Sequence, residues 1–187
     1  MGGKGSSTRE KILEAALKLF SKKGFRETTI KDISKEVGIT EGAIYRHFST
    51  KEEIISSLLN EITQELRQKL LESIQKEETD EGRLKAIIDT LLEYASAKPE
   101  SFRFLNLYHL LKEGPQVENL PGEIILRFLN ELYLKGKLVV FPEVALAVIT
   151  GTVERIFIFK EKGILNKYTD KEIKNSVEAL TQKLLKK

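Results

Sequence analysis

The fold of this chain is decided by residues 28–54, which read TTIKDISKEVGITEGAIYRHFSTKEEI. Apolar residues recur at helical spacing through residues 30–37, and Gly38 then interrupts the pattern. Thr40 is placed to cap a second short helix over residues 41–47. Two helices joined by a tight turn with glycine form a helix-turn-helix. The same spacing also occurs in ordinary helical hairpins, so by itself it leaves both interpretations open.

Helical patterns extend outward from this stretch in both directions. Ser7 or Thr8 caps a first helix that Gly24 ends, and residues 50–53 form a capping-box sequence that opens a long helix. Later helices are predicted to begin at start signals at Asp80, Pro99, Pro121, Pro142 and Thr169. No strand is predicted, because the short run of β-forming residues at 138–141 lies between a helix end and a helix start.

These patterns predict an all-α protein with two parts. A three-helix head that contains the helix-turn-helix occupies residues 8–51, and a six-helix body occupies residues 52–187. The boundary therefore falls at the start of the long helix. Residues 1–7 contain three Gly and two Ser, and we expect them to form a flexible arm.

The composition excludes several classes of function. The chain has no Cys, which excludes disulfides, thiol catalysis and thiolate metal sites. Its two His residues, His47 and His109, are 62 positions apart and no phosphate-cradling glycine loop is present, so we expect no enzyme, metal or cofactor. No run approaches the ~20 apolar residues of a membrane span, and the first residues lack a secretory signal. We therefore expect a cytoplasmic protein with no membrane partner.

Positive charge is concentrated in the head. Residues 1–51 contain eleven Lys and Arg and six acids, a net charge of +5, whereas the whole chain carries +3 and residues 52–187 therefore carry −2. A basic head on a slightly acidic body indicates that the head meets a polyanion. A solvated basic face without a partner would give the same count, so charge is only a first filter.

The second helix of the motif has the residue types that DNA recognition requires. Gly42 and Ala43 are small, which lets the start of the helix approach base edges closely. Hydrogen-bonding groups on its exposed side are predicted at Thr40, Tyr45, Arg46 and His47. An Arg side chain bonds guanine through two parallel hydrogen bonds. We expect Lys51 and the helix start near Thr29 to contact phosphates.

The spaced residues of the head resemble those of the tetracycline-repressor (TetR) family of transcriptional regulators. The resemblance covers about residues 9–55, and it is carried by ILEAALKLF at 12–20, KGF at 23–25, TTI at 28–30, DI at 32–33, VGI at 37–39, YRHF at 45–48 and KEEI at 51–54. Ser34 and Val37 stand where the family usually has small alanines, a packing change that leaves the predicted DNA surface untouched.

The resemblance implies that residues 41–47 form the recognition helix. The residues implied to lie nearest the bases are Thr40, Glu41, Gly42, Ala43 and Arg46, and those implied to contact mainly phosphates are Thr29, Tyr45, His47 and Lys51. Tyr45 has the alternative of packing partly against the first helix, and Glu41 that of serving only its own helix start. Ile44 and Phe48 are assigned to the core.

The resemblance also implies that the last two helices build a four-helix interface between two copies of the chain. The implied interface residues are Val148, Thr152, Arg155, Ile173, Val177, Leu180 and Leu184. The last four permit this independently, because they make a narrow apolar stripe at the spacing of a helix–helix seam. The alternative is that the stripe is buried within one chain.

A ligand pocket is predicted between the body helices. Its candidate lining residues are Leu91, Tyr94, Phe102, Leu105, Tyr108, His109, Phe128 and Phe157. Each of them has the alternative of being ordinary core, and His109 that of making a structural hydrogen bond. The mostly apolar lining indicates a hydrophobic or amphipathic small-molecule effector.

Together these features predict a homodimeric, sequence-specific regulator that binds double-stranded DNA. In the preferred interpretation it is a repressor that the effector releases from a palindromic operator. One alternative is a DNA-binding regulator or architectural protein without a small-molecule effector. The other is a helical protein-interaction module whose head binds a protein.

Overall fold

The computed structural model describes residues 7–108 and 120–186. Over these residues it has nine α-helices, a final 3-10 turn and no strand. The helices are α1 Thr8–Lys23, α2 Ile30–Val37, α3 Glu41–Tyr45, α4 Lys51–Gln75, α5 Asp80–Ala97, α6 Pro99–Tyr108, α7 Pro121–Leu134, α8 Pro142–Glu161 and α9 Asp170–Thr181, and the 3-10 turn is Gln182–Leu184. The predicted all-α fold is confirmed.

The helices of the head begin where the sequence provides capping side chains. Ser7 and Glu10 form a capping box at the start of α1, and Thr29 and Asp32 form another at the start of α2. Gly38 ends α2 with φ of 78°, a left-handed conformation that favours glycine because it has no Cβ. The turn between α2 and α3 is therefore bounded by Gly38 and by Thr40, the N-cap of α3.

One helix end and one capping interaction differ from the prediction. The predicted recognition helix over residues 41–47 is α-helical only to Tyr45, and Arg46 and His47 lie in the turn that follows. The predicted capping box at 50–53 forms only in part. Thr50 accepts a hydrogen bond from the Glu53 amide, but the Glu53 carboxylate accepts from the amide of Ser49 instead of that of Thr50.

Contacts group the described residues into two compact units. The first contains residues 7–62 together with 100–108, and the second contains residues 63–99 together with 120–186. The first unit thus extends past the predicted head boundary at residue 51 and includes most of α6. The assignment of DNA binding to the head and of effector binding to the body stays a prediction.

The first unit has an apolar core to which α6 contributes. Its fully buried side chains include Ile12, Phe20, Ile33, Ile44, Ile54 and Phe104. The Phe104 ring lies 6.2 Å from that of Phe20 and 5.1 Å from that of Phe25, measured between ring centroids. An aromatic side chain from residue 104 therefore completes the core of a head that the sequence placed within residues 8–51.

The second unit is built around α5 and α8. Helix α5 packs against α8 and α9, and α7 packs against α8. Its fully buried side chains include Leu84, Ile87, Ile88, Leu129, Leu132 and Ile149. The apolar run at 138–141 makes one isolated antiparallel bridge, between Leu138 and Leu185, and no strand forms there. In the described part of the chain, no helix is long and apolar enough to cross a membrane.

Candidate functional site

The start of α2 is organised by a reciprocal pair of side chains. The Thr29 hydroxyl accepts from the Asp32 amide at 3.1 Å, and the Asp32 carboxylate accepts from the Thr29 amide at 3.0 Å. The hydrogen bond from the Thr29 backbone, with a second one from its hydroxyl, holds the pKa of Asp32 below its ordinary value. Thr29 itself is exposed. The predicted phosphate contact therefore lies on the surface, at a fixed helix start.

Helix α3 is short and is held by its apolar side. Thr40 caps it by accepting from the Ala43 amide at 3.1 Å. Ile44 and Phe48 are fully buried, as predicted, and the amide of Phe48 donates to the Ile44 carbonyl at 3.0 Å. The guanidinium of Arg9 lies 4.9 Å from the centre of the Phe48 ring. Burial of these two side chains fixes which side of α3 faces solvent.

The opposite side of α3 and its following turn is open. Thr40, Glu41, Gly42, Tyr45, Arg46 and His47 are exposed, and Ala43 is half-buried. Tyr45 is 53% exposed, so about half of its surface is accessible to a partner. An ideal Cβ on Gly42 would meet nothing closer than the Thr40 hydroxyl at 4.0 Å. The predicted base-reading residues thus share one accessible surface.

Lys51 is placed differently from the other predicted DNA contacts. Its side chain is half-buried, and its ammonium donates to the Phe25 carbonyl at 2.9 Å and to the Thr28 carbonyl at 3.1 Å. The sequence motif did not indicate this pair of bonds, because the acceptors are backbone atoms 26 and 23 positions away.

Some positive charge of the head is compensated within it. Lys18 pairs with Glu36, which raises the pKa of the lysine and lowers that of the glutamate, and Lys23 lies 3.7 Å from Asp32. Within residues 7–51, the cations that form no ion pair with the described residues are Lys11, Lys22, Arg26, Lys31, Lys35, Arg46 and Lys51. A net positive potential therefore remains for a polyanion.

A groove of about 440 Å³ lies in the second unit, between α5, α8 and α9. Its apolar lining includes Leu92, Ala95, Val153, Ile156, Phe157 and Ile173. At its rim, Lys160 donates to Ser96 at 3.0 Å and to Asp170 at 2.8 Å. Burial opposes the charge of Lys174 there, but hydrogen bonds to Asp89 and Glu93 raise its pKa overall. The volume is within the range of ligand pockets, roughly 300–1,000 Å³.

The predicted pocket residues do not converge on this groove. Only Phe157 lines it. In the second unit Leu91, Tyr94 and Phe128 are buried, and in the first unit Phe102 and Leu105 are buried and Tyr108 is half-buried. His109 lies outside the described residues. Sequence reasoning missed the groove residues because it ranked aromatic side chains above the small and aliphatic ones at 92, 95, 153 and 156. The polar Ser96 and Lys160 beside them were the available signal.

The predicted dimer residues separate into two groups. Ile173, Val177 and Leu184 are buried within a single chain, which is the alternative left open for this stripe, so they are not exposed to a partner. Apolar residues at this spacing show that a helix buries one face, but they do not show whether the same chain or a second copy covers that face. Leu180 is 50% exposed, Arg155 is exposed, and Val148 and Thr152 are half-buried.

The described residues offer no obvious metal site. No three His, Asp or Glu side chains among them lie close enough together to hold an ion.

Comparison with known proteins gives matches over the head and over the whole fold. Residues 12–58 match the family model described as bacterial regulatory proteins, tetR family. The nucleoid occlusion factor SlmA of Actinobacillus pleuropneumoniae serotype 5b (strain L20) is 32% identical over 111 residues, which are 59% of this chain and 55% of that protein. The chain thus spans about half the length of this curated relative.

Solved structures share the fold across nearly the whole chain. A putative tetR family transcription regulator from Shewanella sp. PV-4 superposes with a TM-score of 0.78 at 20% identity, over 96% of this chain and 98% of that one. AibR, solved in complex with isovaleryl coenzyme A and operator DNA, gives a TM-score of 0.77 at 18% identity, over 93% and 97%. The helix-turn-helix of α2 and α3 lies within the matched residues 12–58. Residues 12–58, which carry this helix-turn-helix, are thus similar to the tetR family of bacterial regulatory proteins.

Proposed function

We propose that this protein is a sequence-specific DNA-binding transcription regulator that acts in the cytoplasm and has no catalytic role. The observation that carries the proposal is the surface of α3, where Tyr45, Arg46 and His47 are exposed while Ile44 and Phe48 anchor the other side. The side chain of Arg46 makes no hydrogen bond or ion pair with any described residue, so its donors are available to a guanine edge.

In this proposal the predicted DNA contacts form two groups, one that faces the bases and one that faces the phosphates. Thr40, Glu41, Gly42, Ala43 and Arg46 face the bases, and Thr29, Tyr45 and His47 face phosphates. Two heads occupy successive major-groove faces of a palindromic operator, about one helical turn apart or a little more. Phosphate neutralisation then makes binding fall steeply with salt.

The second copy that a palindrome requires is proposed to dock on α8. An exposed or half-buried stripe runs along this helix at Val144, Ala147, Val148, Gly151, Thr152 and Arg155. The space around Gly151 is open, since an added Cβ would meet nothing within 4 Å among the described atoms. Small residues on such a stripe allow close approach of a partner helix. Leu180 on α9 would extend the interface.

The proposed sign of regulation is repression released by a hydrophobic or amphipathic small molecule. The groove between α5, α8 and α9 supports it, because its walls are apolar and its rim carries the polar groups of Ser96, Lys160 and Lys174. The structural neighbour AibR was solved with both isovaleryl coenzyme A and operator DNA. An effector releases DNA only if it binds the two conformations with different affinity.

The DNA-binding proposal is tested by selecting bound sequences from random duplex DNA. We expect a palindromic site, and we expect Arg46→Ala to lose its preference at one base position per half-site, by roughly 1–3 kcal/mol. Arg127→Ala, which removes an exposed arginine of α7, is the matched control and should keep the preference. Recovery of the same sequences with the same preference by Arg46→Ala would remove the assigned base contact.

The effector proposal is tested by mass spectrometry of compounds that remain bound through purification, followed by titration of each into the protein–DNA complex. Ile156→Trp fills the groove and should weaken binding of the compound without changing DNA affinity. Glu123→Gln on α7 is a control outside the groove. Equal binding of the compound by the Trp variant would place the effector elsewhere.

A second candidate function is favoured by the name of the sequence relatives, nucleoid occlusion factor SlmA. In this case the protein binds DNA through the same α3 surface but acts on the nucleoid without a small-molecule effector. Mapping of bound sites across the chromosome separates the two. Sites at a few promoters support the regulator, and many sites dispersed between genes support the second candidate.

A further inference from the structure

The ammonium of Lys51 lies in the turn between α1 and α2. Its two hydrogen bonds, to the carbonyls of Phe25 and Thr28, join the first residue of α4 to the segment just before the helix-turn-helix. An ammonium has three donor hydrogens, and two of them are used here. Charge-assisted bonds of this kind are about twice as strong as neutral ones.

The turn that Lys51 holds is itself fixed to the core. The Thr28 hydroxyl donates to the Gly24 carbonyl at 2.8 Å, and Thr28 is fully buried. The Phe25 ring packs against that of Phe20 at 5.3 Å between centroids. The next residue, Thr29, is the N-cap of α2. Displacement of the two carbonyls would therefore move the start of α2.

The first three turns of α4 are tied to α1 as well. The Arg9 guanidinium donates to the Ser57 hydroxyl at 3.2 Å and lies 3.4 Å from a Glu61 carboxylate oxygen. These contacts and those of Lys51 all lie within residues 7–62 of the first unit. The start of α4 is thus a structural part of the head, and Lys51 links it to the turn between α1 and α2.

We propose that Lys51 is a positioning residue of the DNA interface, which holds the 25–28 turn and thereby the Thr29 end of α2, and that it is not a phosphate contact. The inference rests on the proposed DNA-binding function. It assigns to Lys51 an effect that is already present in the free protein, whereas a phosphate contact would appear only in the complex.

The test uses the full chain with Lys51→Met, Lys51→Arg and the control Lys31→Met, which removes the same charge from an exposed lysine in the first turn of α2. Backbone amide exchange over residues 24–33 is measured without DNA, and affinity for the selected duplex is measured at several salt concentrations. We expect faster exchange in Lys51→Met but not in Lys31→Met. DNA affinity should fall on the order of tenfold in Lys51→Met, with an unchanged slope of log affinity against log salt.

Three results would overturn the inference. The first is wild-type exchange over residues 24–33 in Lys51→Met. The second is a salt slope smaller by about 0.9, the amount expected for one lost phosphate contact on duplex DNA. The third is failure of Lys51→Arg, which keeps donors for both carbonyls, to restore the exchange protection or the folding that the Met variant loses. If the wild-type chain binds no duplex at all, the proposed function fails, and the exchange data still report whether Lys51 holds the turn.

Discussion

Phe104→Ala is expected to destabilise the DNA-binding head, although residue 104 lies far outside it in sequence. Phe104 is on α6, is 0% exposed and packs its ring against Phe20 and Phe25. Both of those residues belong to the segment that carries the helix-turn-helix. The substitution therefore opens a cavity in the core that α1 and the α1–α2 turn share with α6.

The expected cost follows from this burial. Replacing a fully buried Phe by Ala costs about 3–5 kcal/mol, which combines lost apolar burial with the cavity left behind. The two ring–ring contacts contribute about 0.5–1.5 kcal/mol each and are included in that total. Because domains of this size have only about 5–15 kcal/mol of stability, a substantial part of it would be lost.

The assay is urea unfolding followed by circular dichroism, with amide exchange to locate the effect. Phe141→Ala is the matched control, because Phe141 is 64% exposed and its removal should change the free energy of unfolding by about 0.5 kcal/mol or less. In Phe104→Ala, exchange should increase first in residues 12–25 of α1 and its following turn. If the two variants are equally stable, or if α1 keeps its protection, α6 is not part of the head core.

Three further predictions concern the head. Gly42→Ala should leave the free energy of unfolding unchanged or raise it by up to about 1 kcal/mol, because the site is helical and open. Operator affinity, measured in an electrophoretic shift assay, should nevertheless fall. Unchanged affinity would show that bases do not approach this position. Gly38→Ala should lower the free energy of unfolding by about 1–2 kcal/mol, measured in urea, because φ at this position is 78°. No atom is within 4 Å of the added Cβ, so the loss comes from backbone conformation, and Gly38→Asn should lose less. Equal losses in the two variants would contradict a conformational origin. The hydrogen bonds from Thr29 lower the pKa of Asp32 below 3.8, so its contribution to stability is present above pH 3.8 and is lost as the pH falls through the lower folded-state pKa. Asp32→Asn should make stability fall less as the pH is lowered than it does in wild type, with Glu123→Gln, which removes an exposed carboxylate of α7, as the control. Parallel curves for Asp32→Asn and wild type would refute the assignment.

Local signals explain why so much of the head could be predicted. Thr40 caps α3 as the sequence predicted, Ser7 is one of the two residues proposed to cap α1, and α2 begins at the predicted place near Thr29. Gly38 has the left-handed conformation that a helix end favours. Each of these interactions joins residues at most four positions apart, so it is readable from the order of residues alone. The burial of Ile44 and Phe48 followed from the same short-range periodicity.

Interactions between distant segments account for what was missed. Ile173, Val177 and Leu184 are buried inside one chain, and the groove lining combines residues from α5, α8 and α9. Periodicity identifies the buried face of a helix but carries no information about which helix covers it. The end of α3 at Tyr45, two residues before the predicted end, was likewise not readable from the sequence.

The order of amino acids by itself therefore determined the helical class, the positions of the caps and the helix-turn-helix, because all of these arise from neighbours along the chain. Only the tertiary structure decided that Phe104 completes the head, that Lys51 bonds the carbonyls of Phe25 and Thr28, and which residues line the groove. The physical reason is that a side chain specifies its own size, charge and polarity, whereas its partner across the fold is selected by the packing of all the helices together.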